Sequence, residues 1–333
     1  MTVPAGIVAN TGVGGLTLGG GLGHLTRKYG FSVDSMLELE VVLADGSVVT
    51  ASETENADLF WALRGGGGNF GVVTTFTFQG RKAGTVFGGP TLWHVDQAEE
   101  IMKWYRDFLP TSSRDLNGFF VFLSVPPTAP FPEELWEQKM CGVVWCYTGD
   151  LDKVDEVFAP ILALKPALPG VQQMPFHMLN SMFDPLLPSG LQWYWKADFV
   201  DKLSDEAVAA HVEHGEKMPT LMSQMHMYPI DGAAHDVDAA ATAFSHRNSG
   251  WALVIVGVDP DPANFELIRD WTREYYEATH PFSADGSAYI NFMMEEGDER
   301  IEGTYGDNYE RLRQVKAKFD PDNFFRINQN IRR

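Results

Sequence analysis

The sequence has few cysteines, few basic residues and no long apolar run. Its 333 residues include two cysteines, and 25 Lys and Arg residues stand against 45 Asp and Glu residues, for a net charge of −20. Nucleic acids and anionic membranes bind basic surfaces, so neither is expected as a partner. No segment reaches the ~20 apolar residues of a membrane span. The start, MTVPAGIVAN, shows no signal peptide, so a cytoplasmic location is the default expectation.

Motifs of several common enzyme classes are also missing. Cys141 and Cys146 are five residues apart on a predicted strand and therefore face opposite sides, which disfavours a disulfide or a shared metal. The histidines of HVEH (211–214) lack the i, i+4 spacing of zinc proteases, so a solvated helix face is the favoured interpretation. His226 alone is typical of a core histidine. The sequence predicts no metal site, no P-loop and no G-x-S-x-G elbow.

Alternation and helical periodicity predict an α+β protein. After residue 82, strands and helices follow one another, which indicates a mixed or antiparallel sheet backed by helices. The predicted elements are a hairpin at 37–50 around Asp45-Gly46, helices at 57–64, 97–110, 151–164, 204–217, 265–279 and 308–319, and strands at 71–78, 116–125, 141–148, 251–258 and 287–294.

Two glycine clusters flank the hairpin, one at 9–23 (ANTGVGGLTLGGGLG) and one that begins at Gly65. A formal G-x-G-x-x-G match at Gly66, Gly68 and Gly71 follows a helix and precedes a strand, the reverse of a dinucleotide-binding turn. Apolar residues between the glycines disfavour a flexible linker. Glycine lets a ligand approach the backbone N–H groups closely, so both clusters are candidate binding loops.

Five segments stand in a characteristic order along the chain. They are NTGVGGLTLGGGLGHLTRKYG, VVLADGSVV, LFWALRGGGGNFGVVT, AYINF and YGDNYERLRQVKAKFDPDNFFRINQNI. Together they resemble the berberine-bridge-enzyme-like group of FAD-linked oxidoreductases, which belongs to the vanillyl-alcohol-oxidase superfamily and has a PCMH-type FAD-binding domain. The resemblance implies a partial FAD-binding domain at 1–82, a substrate domain at 83–280, and a C-terminal segment at 281–333 that returns to the FAD-binding domain.

The resemblance implies FAD as the cofactor and a small-molecule substrate. The implied reaction is an oxidation in which an alcohol of a sugar or secondary metabolite transfers a hydride to flavin N5, and O2 reoxidises the flavin. Tyr289 matches a position that often carries the base. On sequence physics alone, Tyr289 and Asn291 share one face of the predicted strand, where packing is the usual role. As a base, the Tyr289 phenol would need a cation or hydrogen bonds near it.

The resemblance also implies a set of binding residues. Loop 10–23 is implied to line the flavin and its pyrophosphate, Gly65–Val72 the adenine end, and the tail the isoalloxazine. The predicted cofactor-binding residues are Asn10, Thr11, Gly12, Gly14, Gly15, Gly19, Gly20, Gly21, Gly71, Val72, Asn291, Asn328 and Gln329. Candidates for the substrate pocket, for which core packing is an equal alternative, are Tyr194, Trp195, Gln224, His226 and Tyr228.

The sequence departs from the family pattern near its start. Val8 stands where many relatives carry a flavin-tethering cysteine, so a cysteinyl link is excluded, and a histidyl link cannot form within this chain. An earlier subdomain with an R-G-G-G-H-like turn has no counterpart here. One alternative is a truncated, non-catalytic relative that cannot hold FAD by itself and needs a partner chain. The favoured alternative is a misassigned start, so that the natural protein is longer.

Overall fold

The computed structural model describes residues 1–186 and 188–332. The strands are β1 (Met36–Val42), β2 (Val48–Ser52), β3 (Val72–Phe78), β4 (Thr85–His94), β5 (Leu116–Ser124), β6 (Lys139–Tyr147), β7 (Leu168–Pro169), β8 (Gln172–Pro175), β9 (Gln192–Val200), β10 (Gln224–Pro229) and β11 (Trp251–Asp259). The α-helices are α1 (Val13–Leu18), α2 (Thr26–Tyr29), α3 (Ala57–Leu63), α4 (Ala98–Phe108), α5 (Val154–Leu162), α6 (Phe176–Asn180), α7 (Asp205–Glu216), α8 (Phe265–Thr279), α9 (Asp298–Tyr305) and α10 (Tyr309–Phe319).

The strands form two separate sheets. The small sheet has the order β2-β1-β3, and the large sheet has the order β7-β4-β6-β5-β10-β11-β9, with β8 also paired to β4. Every recorded pairing between these strands is antiparallel. The predicted α+β fold class is confirmed, and of the two alternatives for the large sheet the antiparallel one is observed.

The small sheet is built from the predicted hairpin and the strand that follows helix α3. The N–H of Leu43 donates to the carbonyl of Ser47 across the turn, at 2.9 Å. Gly46 lies in this turn with a φ of 84°, a left-handed conformation that a residue without Cβ adopts without strain. The hairpin predicted from Asp45-Gly46 is therefore present.

Both faces of the large sheet are buried. In β5, Phe120 and Phe122 pack with residues of α4, α5, α7 and α8, whereas Phe119 and Val121 belong to the layer on the other face. Successive side chains of a strand alternate between the two faces, so each strand contributes to both layers. Helices cover one face, while the N-terminal and C-terminal segments cover the other face, where the cavity lies.

The prediction of a strand at residues 287–294 is wrong. This segment is irregular and contains one 3-10 turn at Ile290–Phe292. The side chains of Tyr289 and Asn291 bond to the glycine-rich N-terminal segment, so a tertiary contact stands where a partner strand was expected. Local alternation of apolar residues therefore reflected burial and not sheet pairing.

Two other local predictions also need correction. Residues 13–18, which lie in the first glycine cluster and were expected to form a loop, form helix α1. His211, predicted on a solvated helix face, is 1% exposed, and its Nδ1 lies 2.9 Å from the hydroxyl of Tyr275. Its position between α7 and α8 makes it part of the helical layer.

Cys141 and Cys146 are both buried, in different apolar clusters.

The C-terminal segment lies against the second glycine cluster. Asn69 donates its amide to the carbonyl of Gln329 at 3.0 Å, and its Oδ1 accepts the N–H of Ile331 at 3.0 Å. The buried ammonium of Lys316 donates to the carbonyl of Asn69 at 2.8 Å and to the carboxylate of Asp320 at 2.6 Å. These contacts join the second glycine cluster to the C-terminal segment.

Within residues 1–186 and 188–332, no helix is both long and apolar enough to cross a membrane. The same residues contain no group of three or more His, Cys, Asp or Glu side chains arranged to hold a metal ion.

Candidate functional site

A cavity of about 450 Å³ lies where the N-terminal segment, the large sheet and residues 289–292 meet. Strands β9, β10 and β11 form one wall, and residues 6–22 form much of the opposite wall. No Asp, Glu, Lys or Arg is found among its described lining residues. The predicted site residues that it brings together are Thr11, Trp195, Gln224, His226, Tyr228, Tyr289 and Asn291.

The hydroxyl oxygen of Tyr289 receives three N–H groups. The backbone N–H groups of Gly21 and Leu22 donate to it at 2.8 and 3.2 Å, and the side-chain amide of Asn291 donates at 2.7 Å. The ring is 2% exposed and packs edge-on against Phe292, with centroids 4.8 Å apart. Converging N–H donors of this kind stabilise a negatively charged oxygen.

The glycines of the N-terminal loop make this approach sterically feasible. Gly21 has a φ of 85°, in the left-handed region that glycine tolerates best. A Cβ on Gly19 would lie 2.2 Å from Oδ1 of Asn291, a distance that no packed atom pair reaches. Glycine at position 19 therefore leaves the space through which Asn291 reaches both Tyr289 and the carbonyl of Leu16.

Two opposing effects set the pKa of Tyr289. Burial in an apolar environment raises the pKa, because the phenolate loses its hydration. The hydrogen bonds from Asn291, Gly21 and Leu22 lower it, because they favour the charged oxygen. Burial is the larger effect, so the pKa lies above the ordinary tyrosine value. The geometry nevertheless provides the hydrogen bonds that a phenolate base requires.

A polar row runs along the cavity face of β10. Gln224, His226 and Tyr228 occupy alternate positions and therefore point to the same side. The Nδ1 of His226 lies 2.6 Å from the hydroxyl of Tyr228, and its Nε2 lies 2.9 Å from Oε1 of Gln224. Burial lowers the pKa of His226 to about 4. A neutral imidazole thus accepts from Tyr228 and donates to Gln224.

Strand β9 places two tryptophans on the cavity wall and directs Tyr194 away from it. Trp193 and Trp195 line the cavity. The hydroxyl of Tyr194 accepts a hydrogen bond at 2.9 Å from Nε of Arg273, on the helical face of the sheet. The prediction of Tyr194 as a pocket residue is therefore wrong, because its neighbours Trp193 and Trp195 occupy the cavity side of the same strand.

Trp195 also carries a polar atom without a partner. Its indole Nε1 is buried, and no acceptor for it exists among the described residues. Buried indole N–H groups usually have a hydrogen-bond partner.

The start of α1 presents backbone donors on an open surface. Segment 10–12 is exposed, and no described residue accepts a hydrogen bond from the N–H groups of Val13, Gly14 and Gly15. A Cβ on Gly12 or Gly15 would meet no atom within 4 Å. Free N–H groups at a helix start attract anionic oxygens such as those of phosphate.

Two of the predicted cofactor residues lie on the small sheet. A Cβ on Gly71 would lie 2.6 Å from Cγ1 of Val41, so glycine here permits the close packing of the chain against β1. Val72 follows at the start of β3 and is 55% exposed. Neither residue lines the cavity, and the structure shows a packing reason for the glycine.

The tail residues Asn328 and Gln329 take different positions. Asn328 is exposed, with a φ of 63°. Gln329 donates its side-chain amide to the carbonyl of Met293 at 3.1 Å. Gln329 therefore ties the tail to the segment that carries Tyr289, although neither tail residue lines the cavity itself.

Two family models match the two ends of the chain. The model described as "FAD binding domain" matches residues 1–52, and the model described as "Berberine and berberine like" matches residues 288–332. The first range contains the loop that donates to Tyr289, and the second range contains Tyr289 itself. The two matched segments thus meet at one cavity.

A curated relative decides the family. The uncharacterized FAD-linked oxidoreductase YgaK of Bacillus subtilis (strain 168) is 30% identical over 351 residues, which cover 99% of this chain and 72% of that protein. The chain belongs to the berberine-bridge-enzyme-like family of FAD-linked oxidoreductases. The resemblance predicted from the sequence motifs is confirmed, and with it an enzyme of the FAD-dependent oxidoreductase class.

Other relatives agree with the fold and the general chemistry. The BBE-like #28 structure from Arabidopsis thaliana superposes with a TM-score of 0.85 at 22% identity and covers 99% of this chain and 74% of that chain. The xylooligosaccharide oxidase of Thermothelomyces thermophilus is 28% identical over 98% of this chain and 68% of that protein. The predicted PCMH-type fold is therefore confirmed.

The residues present fit FAD. The free N–H groups at the start of α1 suit a pyrophosphate, and Gly12 and Gly15 leave that surface open. Both features lie on or beside the N-terminal segment that the FAD-binding family model matches.

Sequence reasoning missed several cavity residues. Trp193 was omitted although it is separated from Trp195 by one residue, and strand alternation would have found it. Ile7 and Phe292 also line the cavity, but no local pattern distinguishes them from core residues. Asn69 was missed as well, because its role depends on a tail more than 250 residues away.

Proposed function

We propose that the protein oxidises a small-molecule alcohol in this cavity to the corresponding carbonyl compound, with Tyr289 as the catalytic base. The observation that carries the proposal is the convergence of three N–H donors on the Tyr289 oxygen at the wall of an uncharged cavity. When bound, FAD would supply the two-electron acceptor for the hydride at N5, with O2 as the final electron acceptor.

Tyr289 handles the proton in this proposal. The substrate O–H bond breaks as the proton moves to the Tyr289 oxygen, while the C–H bond breaks with loss of its electron pair as hydride, and a C=O bond forms. The donors from Gly21, Leu22 and Asn291 hold the phenolate that must exist before this transfer. The row on β10 positions the substrate and keeps its own imidazole neutral.

The chain would hold the cofactor without a cysteinyl bond. Val8 lines the cavity, and an isopropyl side chain has no nucleophilic atom to attach to a flavin. The backbone donors at the start of α1 would bind the phosphate oxygens. We place Asn10, Thr11, Gly12, Gly14 and Gly15 in this role.

The domain division at 1–82, 83–280 and 281–333 belongs to the same proposal. The small sheet ends at Phe78 and the large sheet begins at Thr85, on either side of the first boundary. The last boundary falls between helix α8 and the segment that carries Tyr289. O2 as the acceptor is supported by relatives whose names describe oxidases, among them the xylooligosaccharide oxidase.

The first test compares two tyrosine variants of the full chain. After addition of FAD, we expect flavin absorbance bands to co-elute with the wild-type protein, the Tyr289→Phe variant and the control Tyr194→Phe variant. Loss of the base should lower kcat for a screened alcohol substrate by a factor of about 100 or more, whereas Tyr194→Phe should retain it. Absence of flavin bands in the wild type, or full activity of Tyr289→Phe, would contradict the proposal.

The second test uses the pH dependence of the same reaction. Since burial raises the pKa of Tyr289, the phenolate fraction and therefore kcat/KM should increase with pH through the neutral range. Asn291→Leu removes one donor and should shift this rise by about 1 pH unit to higher pH. If the pH profile of kcat/KM is not shifted in Asn291→Leu, the increase with pH arises from the titration of another group.

A further inference from the structure

A second cavity, of about 260 Å³, adjoins the first on the same face of the large sheet. The two cavities share Ile7, Gln224 and His226 as lining residues, so the polar row of β10 stands at their border. Tyr289 lines the first cavity and not the second. A molecule that reacts at Tyr289 therefore has space beyond the reacting group for an extension past Gln224 and His226.

The chemistry of the second cavity is strongly apolar. No Asp, Glu, Lys or Arg occurs among its described lining residues, and Leu92, Phe119, Val121, Leu123 and Phe131 contribute hydrocarbon. Its polar side chains are those of Ser124, Ser223, Gln224 and His226.

These few polar groups are largely engaged with each other. The hydroxyl of Ser223 accepts the N–H of Val258 at 3.2 Å and lies 2.7 Å from the hydroxyl of Thr220. Both ring nitrogens of His226 have partners within the polar row. A sugar ring in this cavity would bury several hydroxyls without partners, which weakens binding. An alkyl or aryl group has no hydroxyls, so it could be buried in this cavity without leaving polar groups unpaired.

We propose that the substrate is an elongated alcohol with an apolar tail, and that the second cavity binds this tail. The inference rests on the proposed function, because it assigns the reacting end to the Tyr289 cavity. The tail is held by Leu123, Val121 and Phe131. Oligosaccharides are excluded as preferred substrates.

Calorimetric titration of the full chain with added FAD tests this assignment. The probes are 4-alkoxybenzamides from methoxy to butoxy, which contain no oxidisable alcohol, and cellobiose. Burial of each methylene should raise the association constant about fourfold, while cellobiose should show no binding at millimolar concentration. A series without this increase, or cellobiose binding tighter than the butoxy compound, would overturn the inference.

Matched leucine variants locate the tail. Leu123→Trp fills the second cavity and should reduce the gain per methylene to less than about 1.5-fold, whereas Leu162→Trp, on the exposed surface of α5, should leave the fourfold gain unchanged. Leu221→Trp at the cavity rim serves if Leu123→Trp fails to fold. If the gain in association constant per methylene is unchanged in both Leu123→Trp and Leu221→Trp, the second cavity does not bind the tail.

These outcomes separate the inference from the proposed function. A fourfold gain without oxidation of the matching 4-alkoxybenzyl alcohols would contradict the proposed function and leave the tail site standing. If cellobiose is oxidised rapidly and the association constants of the 4-alkoxybenzamides do not increase with chain length, the proposed role of Tyr289 stands and the tail site is contradicted.

Discussion

His24 shows how one buried side chain can make stability depend on pH. Its ring is 1% exposed, lies 5.9 Å from the ring of Phe119, and has no hydrogen-bond partner for either nitrogen among the described residues. Burial lowers its pKa to about 4. The neutral form is therefore strongly favoured in the folded chain, whereas the unfolded chain binds a proton near pH 6.5.

The sign of the resulting pH effect follows from linkage. The pKa of His24 is lower in the folded chain than in the unfolded chain. Its contribution to the free energy of unfolding is therefore fully present above pH 6.5 and is lost as the pH falls toward 4. The loss amounts to about 1.4 kcal/mol per pH unit in this window. His226 and His211, with pKa values lowered to about 4 and about 3, act in the same direction.

We predict that His24→Leu raises the free energy of unfolding by about 1 to 2 kcal/mol at pH 7, because two unpaired buried nitrogens disappear. The variant should also lose less stability than the wild type between pH 6.5 and 5, by about 2 kcal/mol. Urea unfolding followed by tryptophan fluorescence measures both. His177→Leu, at an exposed position of α6, should leave the pH difference unchanged; an equal slope in both variants would contradict the prediction.

At the scale of an element, β9 shows that strand alternation decides which aromatic residue reaches the cavity. Trp193 and Trp195 lie on the cavity face, and Tyr194 lies between them on the helical face. The segment QWYWK contributes Trp193 and Trp195 to the cavity wall, whereas Tyr194 lies outside the cavity. In strand β10, Gln224, His226 and Tyr228 occupy alternate positions, and all three line the cavity.

We predict that Trp193→Ala raises the KM of an oxidised alcohol at least tenfold, because removal of the indole takes apolar contact area from the cavity wall. Tyr194→Ala should change the KM less than twofold, since its hydroxyl bonds to Arg273 on the other face. The two neighbouring variants form a matched pair for steady-state kinetics. Equal effects of both changes would argue against the assigned faces.

The main helices and strands could be predicted because their patterns are local. Helix α8 buries Ile268, Trp271 and Tyr275 along one stripe, and β11 is buried at every position, as a continuous apolar run indicates. The segment 287–294 could not be predicted, because its apolar alternation arises from packing beneath the glycine loop. The side chains of Tyr289 and Asn291 form hydrogen bonds with residues more than 250 positions earlier in the chain.

At the scale of the whole molecule, Asn69 joins the second glycine cluster to the C-terminal tail. Its amide donates to the carbonyls of Gly66 and Gln329 at 2.8 and 3.0 Å, and its Oδ1 accepts the N–H of Ile331. The ion pair of Lys316 and Asp320, fully buried beside it, adds further bonds to this junction. The tail is thus held by a small number of buried polar contacts.

We predict that Asn69→Ala lowers the free energy of unfolding by about 2 to 3 kcal/mol, since the buried partners of its amide are left unpaired. Amide hydrogens of residues 326–332 should exchange faster in the variant, as measured by mass spectrometry. Asn10→Ala, at an exposed position, is the control and should leave both quantities unchanged. Unaltered exchange in Asn69→Ala would show that other contacts hold the tail.

The sequence by itself determined the family, the α+β fold class and the segments that surround the cavity. Glycine positions, hairpin chemistry and apolar periodicity are local properties, and the five motifs lie in a fixed order along the chain. The family assignment needed no coordinates, because the similarity to a curated relative extends over 99% of the chain.

The tertiary structure alone decided what Tyr289 contacts and which residues share its cavity. The donors of Gly21 and Leu22 are 268 and 267 residues away from Tyr289 in sequence, and no local pattern encodes that distance. The second cavity also exists only where β5, β10 and the N-terminal segment meet. Hydrogen-bond convergence and cavity shape arise from long-range packing, whereas helix and strand formation arise from neighbouring residues.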